Sequence, residues 1–240
     1  MDMHPSVRMP SSLRNSRAET LVRNIAKYID SHSVTSLLDI GAGYDSIATP
    51  LSQLVSRYLA VEQDTSRAAV LRKCGLNVVC GRFPISLSEV FDMVLSCHSV
   101  PEGNIDSYNP FLDSAWEAVR TGGILLVITF KGGLGDGILL RQEITGRMVS
   151  VDPQFEAIVR NLRTKGDVLI KRVNSYLRSS DAEGIVTYLK GWVLRTDEEM
   201  HDHGRHLREI LEARYNKGGE YKFPMQHLFI SAVKKKMQRC

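Results

Sequence analysis

The residues best equipped for chemistry lie in one short stretch, Ser36–Asp45, which reads S-L-L-D-I-G-A-G-Y-D. An apolar run leads into two glycines separated by one residue, and a helical pattern follows. Gly41 and Gly43 let the main chain turn sharply and leave room for a ligand against the backbone. The start of the next helix offers unpaired N–H donors to negative groups. About twenty residues further on, a second apolar run ends in Glu62, whose carboxylate can accept two hydrogen bonds from ribose hydroxyls. These groups describe a site for a nucleoside-bearing ligand.

A dinucleotide and S-adenosylmethionine (SAM) both satisfy that description, and three details separate them. Asp39 precedes Gly41 by two residues, and a carboxylate there suits the ammonium group of a methionine moiety better than a pyrophosphate. The third glycine of a G-x-G-x-x-G loop is absent, because position 46 is Ser. The chain after the fifth predicted strand has room for one more helix and a final antiparallel hairpin, not for a second dinucleotide-binding half.

A second group sits where a fourth strand ends, S-C-H-S-V-P-E over Ser96–Glu102. Ligand crevices in open α/β sheets lie at the carboxyl ends of the strands, so donor and acceptor are expected to meet here. His98 is the candidate general base, since imidazole titrates near neutral pH; its competing role is a histidine hydrogen-bonded within the loop. Cys97 reads as a small pocket-lining residue. The H-D-H-G-R-H run holding His201, His203 and His206 invites a metal, but its surroundings are polar and no second set of ligands is evident. It reads as a solvated helix face, with no metal expected. His4, His32 and His227 are isolated and receive no role.

The elements that must position these groups alternate in type. Helical spacing marks Ala18–Asp30, Ser46–Ser56, Ser66–Lys73 and Pro110–Arg120. Short apolar runs at Thr35–Ile40, Tyr58–Val61, Leu76–Cys80, Phe91–Ser96 and Ile124–Phe130 read as strands. Beyond Phe130 come a glycine-rich K-G-G-L-G-D-G stretch, helices at Pro153–Arg163 and Asp181–Trp192, and a strand at Val168–Tyr176. A polar helix at Asp197–Tyr215 and a last strand at Gln226–Val233 follow. Strand–helix alternation predicts a parallel sheet.

On these residues the chain resembles the class I SAM-dependent methyltransferases. D-I-G-A-G with V-E-Q-D, then F-D-M-V-L-S, then T-G-G-I-L-L-V, match that family's ordered motifs over about residues 35–130. The resemblance implies a three-layer Rossmann-like α/β fold with seven strands in the order 3-2-1-4-5-7-6, strand 7 antiparallel. It implies SAM as cofactor, with S-adenosylhomocysteine as product. Asp39, Gly41 and Gly43 would meet the amino-acid end and Glu62 the ribose with Gln63 beside it, and Ala42, Ser96 and Cys97 are further expected cofactor contacts. The family usually places an acid after strand 3 for the adenine edge. This chain has Cys80-Gly81-Arg82-Phe83 instead, so Arg82 or Phe83 would stack on the base, with Phe83 in the core as the alternative.

Composition sets the remaining bounds. Residues 1–130 hold 11 Lys/Arg and 13 Asp/Glu, whereas residues 131–240 hold 20 and 14. The basic second half admits an RNA acceptor, but acids interleave with the bases and no RNA-binding module is visible. A small-molecule acceptor methylated on O or N is the leading expectation. A nicotinamide-dependent oxidoreductase and a non-catalytic SAM-binding protein are the readings from other classes. Four cysteines without C-x-x-C spacing point to reduced thiols and a cytoplasmic setting. The longest apolar run, Ile124–Phe130, is too short for a membrane span. Residues 1–17 read as a polar arm and 18–240 as a single domain, within which 131–195 form a substrate lid hinged at Gly132, Gly133, Gly135 and Gly137. Oligomeric state is not legible.

Overall fold

Alternating apolar and helical segments condense into one mixed sheet in the computed structural model, which describes residues 13–14, 16–101, 105–130, 136–147, 153–190, 193–194 and 196–235. In chain order the elements are β1 (Leu13–Arg14), α1 (Ser16–Ser31), β2 (Ser36–Ile40), α2 (Asp45–Ser52), β3 (Arg57–Glu62), α3 (Thr65–Lys73), β4 (Val78–Cys80), β5 (Phe91–Cys97), α4 (Ile105–Glu117), β6 (Val119–Phe130), α5 (Asp136–Thr145), α6 (Pro153–Arg163), β7 (Val168–Ser179), α7 (Ala182–Leu189), α8 (Asp197–Ile210), β8 (Asn216–Lys217) and β9 (Glu220–Val233). Two compact units divide the chain. The larger takes Ala18–Lys131, Asp152–Val173 and His227–Cys240, and the smaller takes Met1–Arg17, Gly132–Val151 and Asn174–Gln226.

In the larger unit the strand order is β4-β3-β2-β5-β6-β9, with β7 beyond β9. Pairing is parallel from β4 to β6 and antiparallel between β6 and β9, where Ile124 faces Val233 and Phe130 faces His227. This is the expected order, with β9 as the antiparallel seventh strand of the motif. β2, β5 and the apolar part of β6 are buried on both faces, which is why they read as unbroken apolar runs.

Side-chain alternation splits the core into two layers. On one face Leu37, Ala60, Met93, Leu95, Leu126 and Ile128 pack under α1, α2 and α3 through Leu21, Ile25, Leu51 and Leu71. On the other, Leu38, Ile40, Val61, Val94 and Val127 meet α4 and α6 through Phe111, Leu112, Ile158 and Leu162. The amino ends of the central strands are tied by Asp92 at the start of β5. One of its oxygens accepts from Thr35 N at 2.8 Å, Thr35 Oγ1 at 2.7 Å and Ser36 N at 2.8 Å, and the other accepts from Arg120 Nε. Gly123 passes so close that a Cβ there would lie 2.6 Å from the Asp92 carbonyl oxygen.

Helix α4 begins a turn earlier than the sequence suggests and contains Pro110. Proline normally marks a helix start, but the burial of Tyr108, Phe111, Leu112 and Ala115 outweighs one lost backbone hydrogen bond. β9 is longer than expected because Gly218 and Gly219, both at positive φ, turn it back on β8.

The smaller unit is organised around a buried ion pair. Arg141 donates bidentately to Glu199, from Nη1 at 3.0 Å and Nη2 at 2.9 Å, and to the Val193 carbonyl at 2.6 Å. Arg147 Nη1 reaches the same carboxylate at 2.9 Å. The Arg141 guanidinium is thus occupied within its own unit. Tyr188 accepts from Arg17, and the Tyr176 ring lies 4.1 Å beneath Lys222 Nζ. The span 131–195, read as one lid, is distributed over both units, with α6 and the first half of β7 in the larger. Gly132, Gly133, Gly135 and Trp192 lie outside the described residues.

Candidate cofactor and acceptor site

The register of β2 and β3 places the two acids. Asp39 faces Ala60, and Glu62 is two residues beyond it on the same strand. Asp39 and Glu62 therefore project from the same face at the carboxyl ends of adjacent parallel strands. That face also carries Leu37, Tyr58 and Ala60.

Asp39 is buried, 2% exposed, and its Oδ2 accepts from the Tyr58 hydroxyl at 2.6 Å. Burial pushes its carboxyl up to about 6; the Tyr58 hydrogen bond opposes that rise and the charge of Glu62 adds to it. The Tyr58 phenol is pushed well up by burial and by Asp39. Among the described residues no lysine or arginine pairs with Asp39. A desolvated carboxylate without a cation is held at a cost, and an ammonium ligand would relieve it.

Glu62, 4% exposed, braces the glycine bend. Its Oε2 accepts from Gly43 N at 2.8 Å and its Oε1 from Asp64 N at 2.9 Å. Each oxygen keeps a second lone pair for a further donor. Gly41 and Gly43 take positive φ, +69° and +61°, and Gly41 N donates to the Val61 carbonyl at 2.7 Å. A Cβ on Gly41 would fall 2.3 Å from the Ser99 Cβ. The glycine is thus required by both the turn and the close approach of the β5 loop. Ser99 Oγ donates to the Ile40 carbonyl and lies 2.8 Å from Ser96 Oγ, joining the two loops. Ser96 and Ala42 are buried, Cys97 is half-buried, and Gln63 faces solvent.

His98 adopts φ +56°, a left-handed backbone at a non-glycine residue. That conformation turns its ring across the end of β6. The ring stacks on Phe130 with centroids 3.9 Å apart, and its Nε2 lies 3.1 Å from Nδ1 of His227, which is fully buried. The register Phe130 to His227 across β6 and β9 builds this cluster. His227 looked isolated because it is 129 residues from its partner, and only strand pairing brings the two together. Tyr58 and Ser99 were missed for the same kind of reason. One hint existed for Tyr58: it shares the residue parity of Glu62 on one strand.

The predicted adenine contacts divide. The Phe83 ring is buried against Phe111 in edge-to-face contact, centroids 5.3 Å apart, while Arg82 is exposed. The geometry brings Asp39, Gly41, Ala42, Gly43, Glu62, Ser96, Cys97 and Ser99 to one end of the sheet and leaves the Phe83 side chain in the core. In the H-D-H-G-R-H run, His206 Nδ1 lies 3.5 Å from Glu209 Oε2; His201, Asp202, Arg205 and His206 are exposed on α8 and His203 is half-buried.

No family model matches the sequence, and no curated protein matches it. Solved structures do match the fold. YcgJ of Bacillus subtilis superposes with a TM-score of 0.60 at 13% identity, covering 90% of this chain and 98% of that one. The N-methyltransferase NodS of Bradyrhizobium japonicum, in complex with S-adenosylhomocysteine, gives 0.55 at 11% identity over 96% and 94%. Precorrin-6y C5,15-methyltransferase of Geobacter metallireducens gives 0.50 at 14% identity over 89% and 88%. The fold is the Rossmann-like fold of the class I SAM-dependent methyltransferases.

Proposed function

We propose that this chain is a SAM-dependent methyltransferase acting on an O or N atom of a small-molecule acceptor. One observation carries the proposal: a buried carboxyl with no cationic partner among the described residues, Asp39, one strand from Glu62 on the same face, both flanking a bend that only glycine fits. Asp39 would hold the methionyl ammonium, Glu62 the ribose hydroxyls, and the N–H groups of the Gly41–Gly43 bend the carboxylate end. Bound there, the cofactor supplies a methyl carbon made electrophilic by the sulfonium.

The chain's own task is then positioning and dehydration. For an acceptor that carries a proton, we assign proton acceptance to His98, with its ring held by Phe130 and His227. We assign acceptor choice to the chain between β6 and α8, and cofactor contacts to Ser96 and Cys97 as well. The loss of the acid after β4 leaves the adenine edge to Gly81, Arg82 and backbone groups. A pyrophosphate fits less well. Asp45 opens α2, where a dinucleotide needs positive potential, and Asp39 adds a second carboxylate.

Calorimetric titration with SAM, S-adenosylhomocysteine and NADH tests the reading. Binding of the first two, lost in Glu62→Ala and absent for NADH, supports it. Failure to bind either adenosyl compound removes it. With binding established, a labelled methyl donor offered with pooled small-molecule acceptors and with RNA assigns the acceptor class, and no transfer to any of them leaves a binding protein.

A further inference from the structure

The first half of β7 is an open edge. β1 pairs with Arg178 and Ser179 only, and among the described residues no strand lies outside Val168–Arg172. Leu169 is 72% exposed and Ile170 is 42% exposed. Neighbouring strand residues point to opposite faces, so apolar side chains stand uncovered on both sides of the same edge. Natural sheets seldom leave such an edge unprotected. Beside Ile170 lies an open cavity of about 560 Å³, walled by Phe155, Val159, Arg160, Arg163 and Thr164.

We propose that this edge joins two copies of the chain, with the β7 strands antiparallel about a two-fold axis between Leu169 and Ile170. The sequence D-V-L-I-K-R over 167–172 is self-complementary in that register. Leu169 meets Ile170 of the second copy on each face, and Asp167 meets Arg172 at both ends. Such an interface is isologous and closes on itself. Directly opposed residues in an antiparallel pair point to the same face. Leu169 of the second copy therefore stands beside Ile170, at the mouth of the cavity lined by Phe155 and Val159.

The charges are available for this exchange. Asp167 pairs with Lys235 in the single chain, but their side chains are 82% and 70% exposed, and so open a pair is replaced at little cost. Arg172 makes no ion pair among the described residues. Lys171 is already turned toward α1, where its Nζ donates to Asn24 Oδ1 at 3.3 Å. Unpaired edge amides with apolar neighbours favour a polypeptide strand over a nucleic acid, which has no use for either.

Sedimentation velocity on the full chain over a concentration series tests this, with melting temperatures as the control for folding. Wild type should show a monomer–dimer equilibrium, and Leu169→Lys should be monomeric with the melting temperature that wild type has at a dilution where it too is monomeric. Asp167→Arg and Arg172→Asp should each weaken the dimer by about tenfold, and the two together should restore it. Three results overturn the proposal: wild type monomeric at its highest soluble concentration, a dimer that Leu169→Lys leaves intact, or a double exchange no better than the single ones. A monomer that instead captures single-stranded RNA through Arg172 overturns it as well. None of these outcomes depends on whether the adenosyl compounds bind.

Discussion

Asp39 and Glu62 share a face at the ends of two adjacent parallel strands, close enough that the charge of Glu62 helps hold the Asp39 carboxyl up at about 6. Two acids so placed repel each other, and folding must overcome that repulsion along with the desolvation of Asp39. If Asp39 holds an ammonium ligand as proposed, the pair gives up stability for ligand affinity, and the trade can be measured.

The first expectation is that Asp39→Asn stabilises the ligand-free protein at neutral pH. A carboxyl raised from 3.8 to about 6 lets its folded form bind a proton more tightly than the unfolded chain does. Its contribution to stability is fully present below about pH 4 and is lost as pH rises through about 6. Asparagine keeps an acceptor for Tyr58 and carries no charge. The gain should be on the order of 3 kcal/mol at pH 7.5 and should shrink toward zero at pH 4. SAM affinity should fall at least tenfold in the same variant. Denaturant melts at the two pH values check the first part and calorimetry the second. A variant that is less stable at pH 7.5 and binds SAM normally would contradict the account.

Gly41 gives a steric prediction. Alanine there meets Ser99 Cβ at 2.3 Å and must also hold φ +69°. The combined loss should be about 2–4 kcal/mol. Ser99→Gly removes the collision and leaves the backbone strain, so the double variant should recover roughly half. Additive losses in the double-mutant cycle would show that the two loops do not meet at this point.

Much of this was legible beforehand, because the strands that build the site announce themselves. Leu37, Leu38 and Ile40 fill both faces around Asp39, and the glycines punctuate the end of the run. The order of motifs from Asp39 to Phe130 carries the topology. What was illegible depends on register. His227 meets His98 only because β9 runs antiparallel to β6 and sets it opposite Phe130, and no local pattern encodes that pairing. Phe83 was ambiguous because an aromatic after a strand can face a ligand or the core. Here Phe111 of α4, one turn inside a helix that starts earlier than expected, draws it inward.

His98 permits a test of backbone strain separate from chemistry. At φ +56° an L-residue with Cβ pays a penalty that glycine escapes. Removing the ring costs its stacking on Phe130 and its hydrogen bond to His227 in both His98→Ala and His98→Gly. The glycine variant should therefore be the more stable of the two, by about 1 kcal/mol, the reverse of the order at ordinary positions. Equal or inverted melting temperatures would mean that the left-handed turn is not kept. If it is kept and His98 takes a proton during turnover, both variants should bind SAM normally and lose turnover on a protonated acceptor.

The opposite end of the same strand supplies the contrast. Asp92 accepts four hydrogen bonds, from Thr35, Ser36 and Arg120. Burial alone would raise its carboxyl, but the side-chain and backbone donors of Thr35, Ser36 and Arg120 outweigh that and hold it well below the usual carboxylate range. Its contribution to stability is present above about pH 4 and is lost as pH falls below that, opposite in sign to Asp39. Asp92→Ala strands those donors in a buried position and should cost about 3 kcal/mol or more. Asp92 and His98 are separated by six residues of extended strand, about 20 Å, so the damage should stay local. SAM affinity measured well below the variant's melting temperature should match wild type within about twofold. A larger fall would mean that the amino-end clamp sets the geometry of the carboxyl-end site, and that the two ends of β5 cannot be treated as independent.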